Sequence, residues 1–480
     1  MKSSFFGAII AEMSKKRMPK MIFSRDRNFY KTFNSLYWIL ILHNIITFSV
    51  NLADNVMIGS YSETALSGVA AVNQIQFIFQ QIVMGCGDAA VVICSQYWGQ
   101  GRTSEIRKII GSALYTGAAF SVIVFAAASL FPTQIVGLFT TSPAIVVQGS
   151  EYIRIIRFTY PLFALTNIFL AGLRSVETVR IGFVVSVMTL LINCSVNYVL
   201  IGGHFGAPEL GVTGAAVGTL VARFAEFAVV FFYVFFIDKK LHSKLSDILR
   251  PGIAAVRDYL KNMWRFTLVG AMFGVSTALQ TVVLGHMQDA AIAANSAATT
   301  LYQVLKVASV GAASAAAVII GKLIGSSDSI DECLPKLKEY VRTLQAIFLL
   351  IGITTGVLLY ILREPVLSLY SSLSPEAYAM AKQFILVLCF TGVGTAYEMP
   401  VITGIIRGGG DSLFVLINDL ASIWGIVLPL SFCAAFVFNW PPVAVVLCLN
   451  SDQIFKCGVA AIKANRYHWI KKLTRGEKAA

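Results

Sequence analysis

The sequence predicts an all-α integral membrane protein of about twelve spanning helices, arranged as two six-helix lobes related by a parallel pseudo-two-fold repeat. Three observations carry this. The 480 residues are 56% hydrophobic and only 13% charged, with a mean hydropathy of +0.72, too apolar for a water-soluble globule of ordinary composition. The apolar residues form long continuous stretches of the ~20 residues that a spanning helix needs. They do not alternate as barrel strands do, and in lipid a helix satisfies its own backbone hydrogen bonds. Finally, the second half of the chain repeats the first.

Taken in order, residues 1–33 hold "FFGAII" followed by basic residues. That apolar core is too short, and its flanks are in the wrong order, for a cleaved signal peptide, so an interfacial amphipathic segment is expected. Six stretches centred near residues 47, 82, 120, 163, 191 and 224 make the first lobe, 34–237. The first of them runs through "LYWILILHNIITFSV" into "NLADNVMIG" and carries Asp54 close to its end; His43 is expected to be a satisfied core histidine. The second carries Asp88, after two glycines in "MGCGDAAV". The fourth has Arg154 and Arg157 at its outer end, where they can snorkel, and Pro161 as an expected kink. The fifth contains "INCSVN", which puts Asn193 and Asn197 four apart on one helix face. The sixth pairs Arg223 with Glu226 three residues on.

A basic linker, 238–263, leads to the second lobe, 264–462, with stretches centred near 275, 306, 350, 390, 424 and 450. Its first stretch, "FTLVGAMFGVSTALQTVVLG", has no acid; the next carries Lys306 in "YQVLKVAS". In the tenth, Glu398 precedes Pro400, a second expected kink, and "RGGGD" makes a glycine-rich turn. Residues 463–480 form a basic tail.

Lys and Arg crowd the alternate connections, so the positive-inside rule places both termini in the cytoplasm and makes the helix number even. The net charge of +13 follows from topology and contact with anionic membrane lipids and does not call for nucleic acid. None of the eight cysteines falls in a ligand or CxxC pattern; they read as small apolar fillers.

The repeat is explicit. "ADNVMIGSYSETALSGVAAV" from Ala53 lies over "LQTVVLGHMQDAAIAANSAA" from Leu279, with Gly59 on Gly285 and Leu66 on Ile292. "AGLRSVETV" near Arg174 matches "GIIRGGGDS" near Arg407, and "SQYWGQG" near Gly99 matches "GKLIGSS" near Gly325. Such a repeat leaves a cavity between the lobes.

In motif order, "LADNVMIG", "ALSGVAAV", "SQYWGQG", "INCSVNYVLI" and "GVTGAAVGTLVA" in the first lobe, and "AIAANS", "GKLIG" and "IIRGGGDS" in the second, closely resemble the multidrug and toxic compound extrusion (MATE) transporters of the bacterial efflux type. The resemblance covers roughly residues 35–460. It implies export of amphipathic, often cationic compounds in exchange for Na+ or H+, by lobes that alternate between inward- and outward-facing forms. No other cofactor is expected, and the chain is read as a monomer in the inner membrane.

An acid inside a span is costly and by default marks a pathway or coupling site. The alternative for Asp54 is an interfacial acid satisfied by water. Its repeat counterpart is Gln280, so the architecture does not demand an acid there. A carboxylate and amide oxygens are hard ligands suited to Na+, and equally a polar cage for a proton. The counterparts of Asn193 and Asn197, Ile426 and Leu430, are apolar. The resemblance implies a cation site of an acid in the first helix, polar residues one turn apart in the fifth and a threonine in the sixth, here Asp54, Asn193, Asn197 and Thr219. Asn197 stands where some members carry a second acid. Asn167 in the fourth helix is a candidate for another oxygen; single Asn and Thr residues also serve as glue between helices.

Glu398, Asp88 and Lys306 are candidates for the substrate cavity. Asp88 and Lys306 lie on helices that are repeat mates, which allows them to pair across the cavity. A lipid-linked oligosaccharide flippase is the alternative function; its phosphates call for several intramembrane Arg or Lys, and Lys306 alone lies deep. An intramembrane enzyme is disfavoured, since neither HExxH nor GxSxG occurs.

Overall fold

A computed structural model describes residues 23–475 except 141, 243–244, 286, 288 and 369–373; the expected amphipathic segment falls largely outside the described residues. No strand occurs among the described residues. Twelve long helical elements follow one another: α1 (Arg27–Tyr61), α2 (Glu63–Gly99), α3 (Thr103–Leu130), α4 (Pro143–Ile156 and Thr159–Ser175), α5 (Arg180–Ile201), α6 (Gly211–Ile237), α7 (Ile253–Gly285), α8 (Asp289–Gly325), α9 (Ile330–Leu367), α10 (Pro375–Ile406), α11 (Ser412–Val437) and α12 (Pro442–Arg466). Ten are long and apolar enough to cross a membrane, and the two pieces of α4, bent by 52°, make an eleventh span. The remaining helix, α7, has 33 residues, about 50 Å of helix.

Local chemistry sets the boundaries. The Asp26 carboxylate accepts from the Asn28 amide at 2.9 Å to start α1, seven residues ahead of the expected lobe boundary. Ser62, Ser329 and Ser374 cap α2, α9 and α10 in the same way. The expected kink before Pro161 is found, with the bend in α4 at Arg157–Phe158, whereas at Pro400 the span continues and changes to a π-helical segment, Pro400–Ile406. Two further π-helical segments, Leu420–Val427 and Cys433–Val437, interrupt α11.

The repeat is visible in the packing. In the first lobe α2 and α3 pack on α4, and α1 on α5; in the second α8 and α9 pack on α10, and α7 on α11. Across the lobes α2 packs against α7 and α8, and α1 against α8. These contacts concentrate on the end that carries the basic connections. There Phe33, Tyr37 and Ile41 of α1 share a core with Ala312, Ala316 and Ile319 of α8 and Leu344 of α9. The repeat-mate glycines Gly99 and Gly325 meet at this seam: a Cβ on Gly99 would strike the Lys322 carbonyl and Gly325 itself, and one on Gly325 the Gln96 backbone. Only glycine lets the two backbones approach this closely.

Candidate cation and substrate site

Asp54 lies about two turns before the end of α1 at Tyr61 and is half-buried. Asn197 Nδ2 donates to Asp54 Oδ1 at 2.5 Å, and also lies 3.4 Å from Asn193 Oδ1. Asn193 Nδ2 in turn donates to Thr219 Oγ1 at 3.3 Å, while the Thr219 hydroxyl donates to the Ala215 carbonyl. Asn193 and Asn197 are fully buried. The four-residue spacing on α5 thus faces both amides toward α1 and α6. Asn197 is held from behind as well, because its Oδ1 rests on α6 at Gly218, where any Cβ would collide with it.

A small cleft, with about 30 Å³ open to water-sized groups, lies in front of this group, with Asp54, Asn193 and Thr219 in its wall. Arg223 also lines it, but its guanidinium is taken by Glu226 at 2.6 Å and stacks over Phe163, as the three-residue spacing suggested. Asp54 is therefore held by amides and faces the cleft with no ion-pair partner among the described residues. The cleft has further polar residues that sequence reasoning missed: Asn51 and Asn55 on α1, Asn73 and Gln76 on α2, Tyr152 on α4 and Thr189 on α5. The signal was present for Asn51, three residues before Asp54 and so on its helix face.

Asn167 departs from expectation. It does not line the cleft; its Oδ1 lies against Gly87 of α2. Both pieces of α4 pack on α2, and Asn167 lies on the face that does so. His43 is satisfied as expected, its Nδ1 within 3.1 Å of the Gly182 carbonyl and 2.6 Å of the Ser186 hydroxyl.

Asp88 and Lys306 do not pair, which corrects the expectation of an ion pair across the cavity. Both Asp88 oxygens are engaged on the basic side: Oδ1 by Arg174 and Oδ2 by Arg407, each at 2.8 Å. One carboxylate of the first lobe therefore clasps the two repeat-mate arginines, one from each lobe. Beside this clasp Lys322 of α8 reaches Glu177 at 2.6 Å, which gives the departure from "RGGGD" at "RSVET" a physical role: the changed turn supplies the acid for a cross-lobe pair.

The tail adds a strap over the same seam. Trp469, fully buried, lies on Gly409; Lys471 reaches Asp411 at 2.7 Å; Gln96 of α2 grips the backbone at Lys471 and Leu473; and Arg475 forks onto Asp258. Burial alone would raise the Asp411 carboxyl, but Lys463 and Lys471 together hold it below its ordinary value.

In the second lobe Glu398, 8% exposed, shares the interior with a group not singled out from sequence: Lys456, whose ammonium sits 3.0 Å from Asp419 and 3.1 Å from Asp452. Lys456 is 233 residues beyond Arg223, the offset that also relates Arg174 to Arg407, so each lobe carries a paired basic residue at the same place. Lys306 lies over the rings of Phe273 and Tyr302, 5.9 and 6.0 Å from their centroids.

The family model MatE matches residues 40–199 and 267–433. The probable multidrug resistance protein NorM of Thermotoga maritima is 23% identical over 440 residues, 90% of this chain and 92% of its own length. Its namesake from Halalkalibacterium halodurans is 26% identical over 416 residues, 83% and 87% of the two chains. Among solved structures, a variant of the Vibrio cholerae MATE transporter VcmN superposes with a TM-score of 0.82 at 16% identity, covering 93% of this chain and 98% of that one. The eukaryotic MATE transporter AtDTX14 does so at 0.79 and 17%, covering 93% and 97%.

Proposed function

The chain belongs to the MATE family, whose model matches well over half of it, and from that premise we propose that it is a secondary active exporter of amphipathic small molecules in antiport with Na+ or H+. Multidrug efflux follows from the relatives. The coupling step rests on one observation, the Asp54 carboxylate held by Asn197 in a cleft whose only other charged wall residue among the described residues, Arg223, is paired with Glu226. A cation or proton arriving there meets one negative charge and several neutral oxygens, the donor set that suits a hard monovalent ion.

Direction follows from where the lobes touch. With the basic connections in the cytoplasm of an inner-membrane protein, the Asp88 clasp, the Glu177–Lys322 pair and the tail close the cytoplasmic side, while the cleft with Asp54 lies toward the outside. This is the outward-facing form, the one that releases substrate and takes up the coupling ion. The ion and the substrate must favour different forms, because a ligand shifts a conformational equilibrium only by its differential affinity.

The flippase reading calls for a cavity rich in free basic groups. Arg223 and Lys456 have carboxylate partners of their own, and Arg174 and Arg407 are both tied up on Asp88, so none of the four is free for a phosphate, which favours the efflux reading.

The test is efflux of ethidium from liposomes containing the purified protein, driven by an imposed Na+ or pH gradient. One of the two gradients is expected to drive wild-type export, and Asp54→Asn to abolish the drive. Equal gradient-driven export by Asp54→Asn would overturn the assignment.

A further inference from the structure

We propose that Lys306 is a specificity-determining residue that receives the carboxylate of a zwitterionic amphiphile, so that the exported substrates include molecules carrying an acid as well as a cation. This rests on the export reading above and names part of its substrate class.

The carrying observation is a charge without a partner. A lysine deep in a span is expensive unless it is paired or meets a ligand. Arg174, Arg223, Arg407 and Lys456, by contrast, each meet a carboxylate. Lys306 makes neither a hydrogen bond nor an ion pair among the described residues; its ammonium lies over the faces of Phe273 and Tyr302, and Glu398 acts on it only from beyond ion-pair distance. Cation–π contact supports the charge but uses none of its three N–H donors, which remain free for an anion.

Its place is where a substrate would pass. Gly311 of α8 lies against Tyr37 and Ile41 of α1, part of the closed seam. Lys306 is five residues from it toward the opposite end, just beyond the closure, and half-buried. The Phe273 ring beneath it faces Phe77 of the other lobe at 6.5 Å, and the residue beside Phe77, Gln76, lines the Asp54 cleft. A small cavity of about 10 Å³, lined by Lys306, Tyr302, Ser309 and Thr355, lies at this point of the second lobe, room for about one water-sized group in this form. The walls on the two sides of the seam thus carry opposite charge, Asp54 on one and Lys306 on the other, with aromatic surface between them. A zwitterion with an aromatic body matches that order, its amine toward the acidic wall and its carboxylate on the ammonium.

The test uses a matched pair of dyes, rhodamine B, which bears a free carboxylate, and its ethyl ester, which does not. Gradient-driven export from liposomes is measured for wild type, Lys306→Met and Lys306→Arg. Wild type is expected to export both dyes. Lys306→Met should keep export of the ester, which shows that the variant is folded and coupled, and lose rhodamine B export by about tenfold or more, the loss of one charge-assisted hydrogen bond. Lys306→Arg should restore it. An unchanged ratio of the two dyes in Lys306→Met would overturn the proposal, as would wild-type export of the ester without rhodamine B. If wild type moves neither dye, the export reading itself fails and this inference falls with it.

Discussion

Asp54 and Asn197 meet at 2.5 Å, and the position of that amide is set by a residue that carries no chemistry at all, Gly218. A methyl group there has no room, because Asn197 Oδ1 already occupies the space. Gly218→Ala should therefore push Asn197 off Asp54 without removing any charged group. Charge-assisted hydrogen bonds contribute about 1.5–3 kcal/mol, so the concentration of coupling ion that gives half-maximal export should rise about tenfold or more, while the protein stays folded. The check is the ion dependence of ethidium export, and an unchanged half-point would separate Asn197 from the site. Much of this group was legible in the sequence. A carboxylate in an apolar run stands out, and a four-residue amide spacing fixes a shared face whatever the tertiary structure. Asn167 lies against Gly87 of α2, a contact that depends on which face of α4 meets α2, and a lone Asn in an apolar helix does not tell that face. Lys456 was overlooked because its partners Asp419 and Asp452 come from two different helices near spans already counted as apolar.

At the scale of elements, the basic ends of α2, α4, α8 and α10 are joined by side chains rather than by apolar packing alone. Arg407 is the member of the Asp88 clasp that crosses between lobes; Arg174 stays within its own. Arg407→Ala should therefore weaken the closure and leave the first lobe intact. Ser95 on α2, fully buried against Gly321, reports on it. With Ser95→Cys as the sole thiol, a membrane-impermeant maleimide added from the basic side should react about tenfold faster in the Arg407→Ala background, and an equal rate would show that the clasp does not hold the seam. This clasp could not be read from the sequence, since Asp88 and Arg407 are 319 residues apart and the repeat supplies Ser314, not a second acid, opposite Asp88.

The start of α1 is tied to α9 in a similar way. Tyr340 donates to Asp26 at 2.6 Å and Lys336 lies 2.9 Å away, and these two hold the Asp26 carboxyl at about 2. A carboxyl depressed in the folded state adds stability that is fully present above its unfolded value of about 3.9 and is lost as pH falls through the folded value. The attachment of α1 should thus be insensitive to pH from about 4 to 8 and loosen only between about 4 and 2. Asp26→Asn should show the loosened state at neutral pH. Amide hydrogen exchange at Asn28 and Phe29 measures both, and equal protection in the variant at neutral pH would exclude the tie.

For the whole molecule, the two lobes are alike in helix order and packing and unlike in charge. The repeat was plain in the sequence because glycine and small-residue motifs recur with little change of register, and those motifs recur because close backbone contact at the seam admits nothing larger. The functional asymmetry is carried by the positions that break the repeat. Asp54 faces Gln280 in the alignment, Asn193 and Asn197 face Ile426 and Leu430, and Asp88 faces Ser314. One lobe thus presents a free acid to the cleft, and the same lobe supplies the acid that closes the opposite side. In the antiport cycle proposed above, ion binding at the first and release of the second are its two ends.

Coupling is reciprocal: if the ion drives the substrate, the substrate must drive the ion by the same free energy. The most direct measurement is ion movement in liposomes with no imposed ion gradient, after loading one side with ethidium. The account predicts that the ethidium gradient drives Na+ or H+ in the opposite direction through the wild-type protein, and that Asp54→Asn abolishes this ion movement. Ethidium-driven ion movement that survives in Asp54→Asn would contradict it.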